Sequence, residues 1–368
     1  MNTQKEKHLY NLTGLRFIAA LFVMLQHLND QCVSIHLILP FNKTFLFHSG
    51  QEGVYVFFVL SGYLIYKRYS FPNNSFKISE YKPYLINRFA RIYPLFLLVF
   101  ILGIILVFAV DVKSFKNLLP FIPLYLIGFS NVVPLFDLSF IGPLLSLWTI
   151  GTELQFYFLF PFLVKTIKSK GIFIIWVGLF VFYFLSFING TTNFFHFLRF
   201  DYFFAGVLAA YYSNKSVLIV AQKLLKVIFL RINYFFKLVL FWFTFCVFII
   251  IPFYISILVF RETLLLFSIP IFIIILGFDI RFPFLNSKIT IMLGSISYGL
   301  YVYHPIISYP LRKFFLMGWF SDNMTNNQLL LIYSVLLFVS TVIISYISFV
   351  FFENYCANKI VLYFKKDK

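Results

Sequence analysis

Apolar runs of helix length alternate with short polar segments along the whole chain. A run of about 20 predominantly apolar residues is what a helix needs to cross a bilayer core. Such windows fall at residues 12–30, 51–66, 92–110, 140–164, 171–188, 194–212, 236–258, 262–279, 289–310 and 329–352. The pattern therefore predicts an all-α polytopic integral membrane protein with about ten transmembrane helices and both termini on one side. Two stretches fit less simply. Residues 117–130 are apolar but short and broken by proline, which suits a re-entrant or interfacial piece. In residues 215–237, Lys215, Gln222, Lys226, Asn233 and Lys237 gather on one side of a helical wheel. That stretch is expected to be an amphipathic helix lying on the membrane surface.

Composition agrees with the pattern. The chain is 61% hydrophobic and 12% charged, against about 45–50% and about 25% for a soluble domain. The formal charge of +17 does not imply a nucleic-acid partner, because cytoplasmic loops of membrane proteins collect Lys and Arg. With the N-terminus in the cytoplasm, the ten windows place 22 Lys and Arg inside and 6 outside. This asymmetry predicts cytoplasmic termini. The first apolar run lacks a small-residue cleavage pattern and reads as an uncleaved anchor. Cys32, Cys246 and Cys356 are scattered, so neither a disulfide framework nor a metal site is expected. No linker or repeat interrupts the chain, and residues 1–368 read as one membrane domain.

Ionisable residues inside spans are costly and mark candidate sites. Arg16 and His27 share one apolar helix; eleven residues apart, they lie on one face, about 16 Å apart along the axis. Counting from the inner ends of their windows puts His27, Glu153 and His304 at one depth, roughly 16–23 Å above the cytoplasmic boundary. Each is also readable as a packing residue, and His304, just before Pro305, as one that shapes a helix end. Arg16 is also placed to snorkel to the headgroups. Arg88 and Arg91, at the inner mouth of the third window, suit either positive-inside anchoring or an anion funnel. Arg199 and Asp201, two apart, would not share a helix face, so each is expected to pair with another span or to meet substrate. Tyr298, Tyr301 and Tyr303 read as packing or interfacial aromatics. His8, His36 and His48 fall in loops, and His196 at the outer start of the sixth window carries little weight.

Four stretches, in order, resemble the acyltransferase 3 family of bacterial membrane O-acyltransferases. They are LTGLRFIAALFVMLQH, with Arg16 and His27 at the family's spacing; GVYVFFVLSGYLI at Gly53–Ile65; RFARIYP at Arg88–Pro94; and SLWTIGTELQFYFLFP at Ser146–Pro161, with Glu153 at the family's glutamate. SYGLYVYHP (Ser297–Pro305) and FFEN (Phe351–Asn354) look like its late helices. Many members have Glu-Glu-Gln-Phe-Tyr where this chain has Glu153-Leu154-Gln155-Phe156-Tyr157.

The resemblance implies a multi-pass protein of a bacterial plasma (inner) membrane. The expected donor is acetyl-CoA or another acyl-CoA from the cytoplasm, with no permanently bound cofactor. The expected acceptor is a hydroxyl of a glycan or lipid-linked glycan, such as an O-antigen, capsule or exopolysaccharide. Arg88, Arg91 and Arg16 would receive the donor's phosphates. His27 would act as general base or acyl carrier, and Glu153 would orient and stabilise the imidazole, as the carboxylate does in a triad. Some members carry an extra esterase-like domain; this chain ends soon after its last window, so it would acylate the acceptor itself or hand the group to a protein partner. A glycan transporter or flippase, or a non-catalytic assembly partner, would also place ionisable residues at mid-depth.

Overall fold

The computed structural model describes residues 10–40, 42–69, 78–136, 142–166, 169–188, 198–278, 282–317 and 324–366. Among these residues every regular element is helical. The long helices are α1 (Tyr10–Ser34), α2 (Gly50–Tyr69) and α3 (Ile78–Val110). Short helices α4 (Val112–Leu118) and α5 (Ile122–Leu126) follow, then α6 (Leu147–Thr166) and α7 (Ser169–Ile188). The second half comprises α8 (Phe200–Ser213), α9 (Ser216–Arg231), α10 (Tyr234–Phe245) and α11 (Leu258–Leu276). It closes with α12 (Lys288–Ser295), α13 (Ser297–Leu316), α14 (Asn326–Ile347) and α15 (Asn354–Lys366).

Local chemistry fixes several starts. Asp111, Asn233 and Ser287 cap α4, α10 and α12 with side-chain oxygens on backbone amides. Thr325 and Gln328 form a reciprocal capping box on α14.

Five described helical stretches are long and apolar enough to cross a membrane: Tyr10–Ser34, Glu80–Val110, Tyr234–Phe253, Leu258–Leu276 and Asn326–Lys365. A sixth results if α8 and α9, bent by 78°, form one broken span. The protein is thus a helical membrane protein whose described residues show fewer self-evident spans than the ten windows. For some of the windows the difference has a physical cause. Helices such as α2 and α13 are wrapped by others, so they carry glycine, serine, tyrosine and charged residues that a lipid-facing helix would exclude.

Several boundaries also differ from the hydrophobic windows. The ninth window breaks at Ile296 into α12 and α13. The tenth continues past its apolar stretch, through a π-helical turn at Ser348–Glu353, into α15. Residues 117–130 form short turns of helix, as their prolines require. The amphipathic stretch ends at Arg231, and Lys237 belongs to the separately capped α10.

Helix α2 lies at the centre. Its face toward α8 is built for backbone contact: a Cβ on Gly62 would lie 2.0 Å from the Phe203 carbonyl oxygen, and one on Gly206 would lie 2.1 Å from that of Val59. Small residues permit such close crossings in membranes. Phe58, Phe156 and Phe203 stack alongside, with ring centroids 4.4 Å apart in both pairs. On its other side α2 packs along α1, where the Gly50 amide donates to Gln26 Oε1 at 2.7 Å.

Candidate active site

Near the N-terminal end of α1 a cavity of about 90 Å³ opens between α1, α2, α3, α6 and α13. Arg16, Arg88 and Arg91 line it, with Glu153, Ser61, Tyr157 and Tyr298. Three guanidiniums against one carboxylate make it a cationic pocket. Arg88 is buried, and its guanidinium lies over the rings of Tyr69, Tyr157 and Tyr84 at 5.3, 5.6 and 6.0 Å. Its Nε has no hydrogen-bond partner among the described residues. These aromatic faces hold the fork in place and leave its donors for an anion.

Glu153 belongs to this pocket. Its Oε1 accepts from Ser61 Oγ at 2.5 Å and from the Tyr157 hydroxyl. Depth counted along the sequence puts Glu153 level with His27; in the structure it lines the same cavity as Arg16 instead. The register follows from α2, which runs antiparallel to α1: Gly50 meets Gln26 and Gly53 meets Ala19, so Ser61 falls beside the start of α1 and brings Glu153 with it. Counting residues from a window edge assumes that every helix ends at one plane, and here α6 extends beyond its window to Thr166.

His27 and His304 do meet. His304 is fully buried, and its Nε2 lies 3.0 Å from His27 Nδ1. The other nitrogen, His304 Nδ1, lies 3.1 Å from the Leu300 carbonyl oxygen. A carbonyl only accepts, so the hydrogen-bond pattern assigns the proton of a neutral His304 to Nδ1. Its Nε2 is then an acceptor, and His27 Nδ1 must donate to it. A neutral His27 is left with its lone pair on Nε2. That is the protonation pattern of a general base whose ring is oriented by a neighbour.

Tyr301 connects the two clusters. It lines the arginine pocket, its hydroxyl is 2.9 Å from Thr149 Oγ1, and its ring centroid is 6.0 Å from that of His304. Tyr298 and Tyr301, which read as packing or interfacial aromatics, both line this pocket. Ser61 and Tyr157 also escaped the sequence reading, although both lie in the family-like stretches.

Arg199 and Asp201 form a separate group. The structure overturns the expectation that they point apart, because α8 begins only at Phe200 and Arg199 stands outside the helix. Arg199 makes a bidentate pair with Asp201 at 3.1 and 2.9 Å, and its Nη1 donates to Tyr55 (2.7 Å) and Glu262 (2.8 Å). The Tyr55 and Tyr202 rings, stacked at 3.9 Å, pack against the same guanidinium. Arg261 adds a looser link between Glu262 and the buried Glu52, at 3.9 and 3.8 Å. The cavity beside this cluster is only about 20 Å³. Glu52 and Glu262 were detectable as carboxylates at window edges. His8 and His196 lie outside the described residues. Among the described residues no group of three or more His, Cys, Asp or Glu is placed to hold a metal ion.

A helical membrane protein with a cationic pocket at one end of α1 and, further along it, His27 in contact with the buried His304 of α13 is the class these features define. Residues 9–350 match the Acyl_transf_3 family, described as an acyltransferase domain, and the chain belongs to that family. It is similar to O-acetyltransferase OatA of Staphylococcus aureus strain NCTC 8325 / PS 47, with 30% identity over 184 residues that cover 45% of this chain and 27% of OatA. OatA of strain COL matches with the same identity and coverage. The chain thus spans less than a third of the length of these relatives. No solved structure matches it.

Proposed function

We propose that this protein is a membrane O-acyltransferase, in particular an O-acetyltransferase, that moves the acyl group of an acyl-CoA to a hydroxyl of a cell-envelope glycan such as an O-antigen, capsule or exopolysaccharide. The observation that carries the reading is the pairing, on one helix, of an arginine pocket at Arg16 with a histidine at His27 whose Nε2 is free to accept a proton. About 16 Å of helix separates them, a span suited to the slender pantetheine arm. The family and the likeness to O-acetyltransferases support the same chemistry.

In this reading the protein sits in a bacterial plasma membrane with the Arg16 end toward the cytoplasm, in line with the distribution of Lys and Arg. Arg16, Arg88 and Arg91 hold the donor's phosphates, and Glu153, fixed by Ser61 and Tyr157, sets the position of Arg16. His27 Nε2 takes the acceptor hydroxyl's proton as its oxygen bonds to the thioester carbon. The carbon–sulfur bond then breaks, and the departing thiolate of coenzyme A recovers the proton from the imidazolium. Arg199 and Asp201 hold helices together in this scheme.

His27→Ala removes the base, and transfer of radiolabelled acetyl from acetyl-CoA to endogenous glycan in membranes is expected to fall at least about 10²-fold, with membrane insertion unchanged. Retained transfer in that variant would sink the reading.

A further inference from the structure

Helix α6 starts inside the bundle, where Leu144, Ser146, Leu147 and Thr149 are all buried. The chain enters it through a tight turn at Gly142–Leu144 and runs antiparallel to α13. Three contacts fix the register. A Cβ on Gly142 would lie 3.4 Å from the Tyr309 ring, and one on Gly103 would meet both Leu144 and Ile306. Thr149 Oγ1 then lies 2.9 Å from the Tyr301 hydroxyl. Ser146, between Leu144 and Thr149, therefore falls at the level of His304, and so of His27, which His304 touches.

Ser146 immediately precedes the first residue of α6, the position from which a serine usually caps a helix. Here its side chain is only 1% exposed, yet its hydroxyl has no hydrogen-bond partner among the described residues. Buried hydroxyls are normally partnered, so this one points to a polar atom that arrives with a ligand. Its surroundings favour a negative one. The first turn of a helix carries the positive end of its dipole, and no acidic residue stands in the first turn of α6. The arginine cavity reaches this turn, since Thr149, Ile150 and Tyr301 belong to its wall. Thr149 Oγ1 in turn lies 3.0 Å from the Ser146 carbonyl oxygen, which ties the cavity wall to the entry of the helix.

We propose that the start of α6 is the oxyanion site of the transfer, with Ser146 Oγ donating to the carbonyl oxygen of the thioester. The inference rests on the acyl-transfer reading and adds a catalytic residue to it. As the acceptor oxygen bonds to the thioester carbon, its proton passes to His27 Nε2 and the π pair of the carbonyl moves onto the carbonyl oxygen. That oxygen becomes an anion, and the Ser146 hydroxyl and the positive end of α6 stabilise it. When the carbon–sulfur bond breaks, the pair returns, the ester carbonyl forms, and the thiolate takes the proton from the imidazolium. A donor buried in place before the charge appears needs no reorganisation when it does. Arg16 is not placed for this role, since about 16 Å of helix separates it from His27.

The test uses membranes containing the full chain, with radiolabelled acetyl-CoA and endogenous glycan. Ser146→Ala is expected to lower the maximal rate per folded molecule by about 10²–10³-fold, as loss of one oxyanion donor does, and to leave the KM for acetyl-CoA unchanged. Its melting temperature in detergent should stay the same or rise, because the substitution removes a buried hydroxyl that has no partner. Ser146→Cys, close in size and a weak donor, should give an intermediate rate. An unchanged maximal rate in Ser146→Ala, a raised KM at unchanged maximal rate, or a loss of rate accompanied by a lower melting temperature would overturn the inference while His27→Ala stayed inactive. Full transfer in His27→Ala would remove the acyl-transfer reading itself, and this inference with it.

Discussion

His304 decides which nitrogen of His27 is available for chemistry. Its Nδ1 is tied to the Leu300 carbonyl and its Nε2 to His27, so its loss frees the His27 ring to rotate and to take either tautomer. His304→Phe is expected to lower kcat by about 10²-fold or more, within the range of general-base contributions, with the KM for acyl-CoA unchanged. His304→Gln should recover part of the rate, because an amide can donate to Leu300 and accept from His27. A purely structural role would instead reduce the yield of folded protein and leave kcat per folded molecule intact. Both histidines were legible as costly groups in apolar runs. Their contact was not, since 277 residues separate them and depth counting gave Glu153 an equal claim. Glu153 was misplaced because its level is set by Ser61 on α2, a contact that no window edge encodes.

At the scale of elements, the Arg199 cluster joins three helices: Tyr55 comes from α2, Asp201 and Tyr202 from α8, and Glu262 from α11. Removing one partner of a buried ionic network leaves charges uncompensated and costs about 3–5 kcal/mol. Arg199→Leu is therefore expected to lower the detergent-phase melting temperature by several degrees while the surviving protein keeps its KM for acyl-CoA. A raised KM with unchanged melting would transfer Arg199 to the substrate site. The sequence supplied the helical class and most helix positions, because apolar length is a strong signal. It missed the breaks at Ile296 and at Arg199. Both sit within apolar stretches, where hydropathy is blind to a residue that leaves the helix.

For the whole molecule, the proposed orientation puts the arginine pocket at the cytoplasmic end of α1. Arg88→Gln and Arg91→Gln should each raise the KM for acyl-CoA about tenfold, since a hydrogen bond to a charged group is worth roughly 1.5–3 kcal/mol. The exposed Arg91 should lose more of its effect in high salt than the buried Arg88. Initial-rate measurements across acyl-CoA concentration and ionic strength check both. The crossing of α2 and α8 sets the mechanical character of this machine. At Gly62 and again at Gly206 the helix backbones approach so closely that an added Cβ would meet a facing carbonyl oxygen, a contact that ties the two helices together. Ser61, at the pocket, and Tyr55, at the ionic cluster, are both mounted on α2. So tight a crossing resists deformation, and widening of the pocket is expected to fall to the helices around it, α1, α3, α6 and α13.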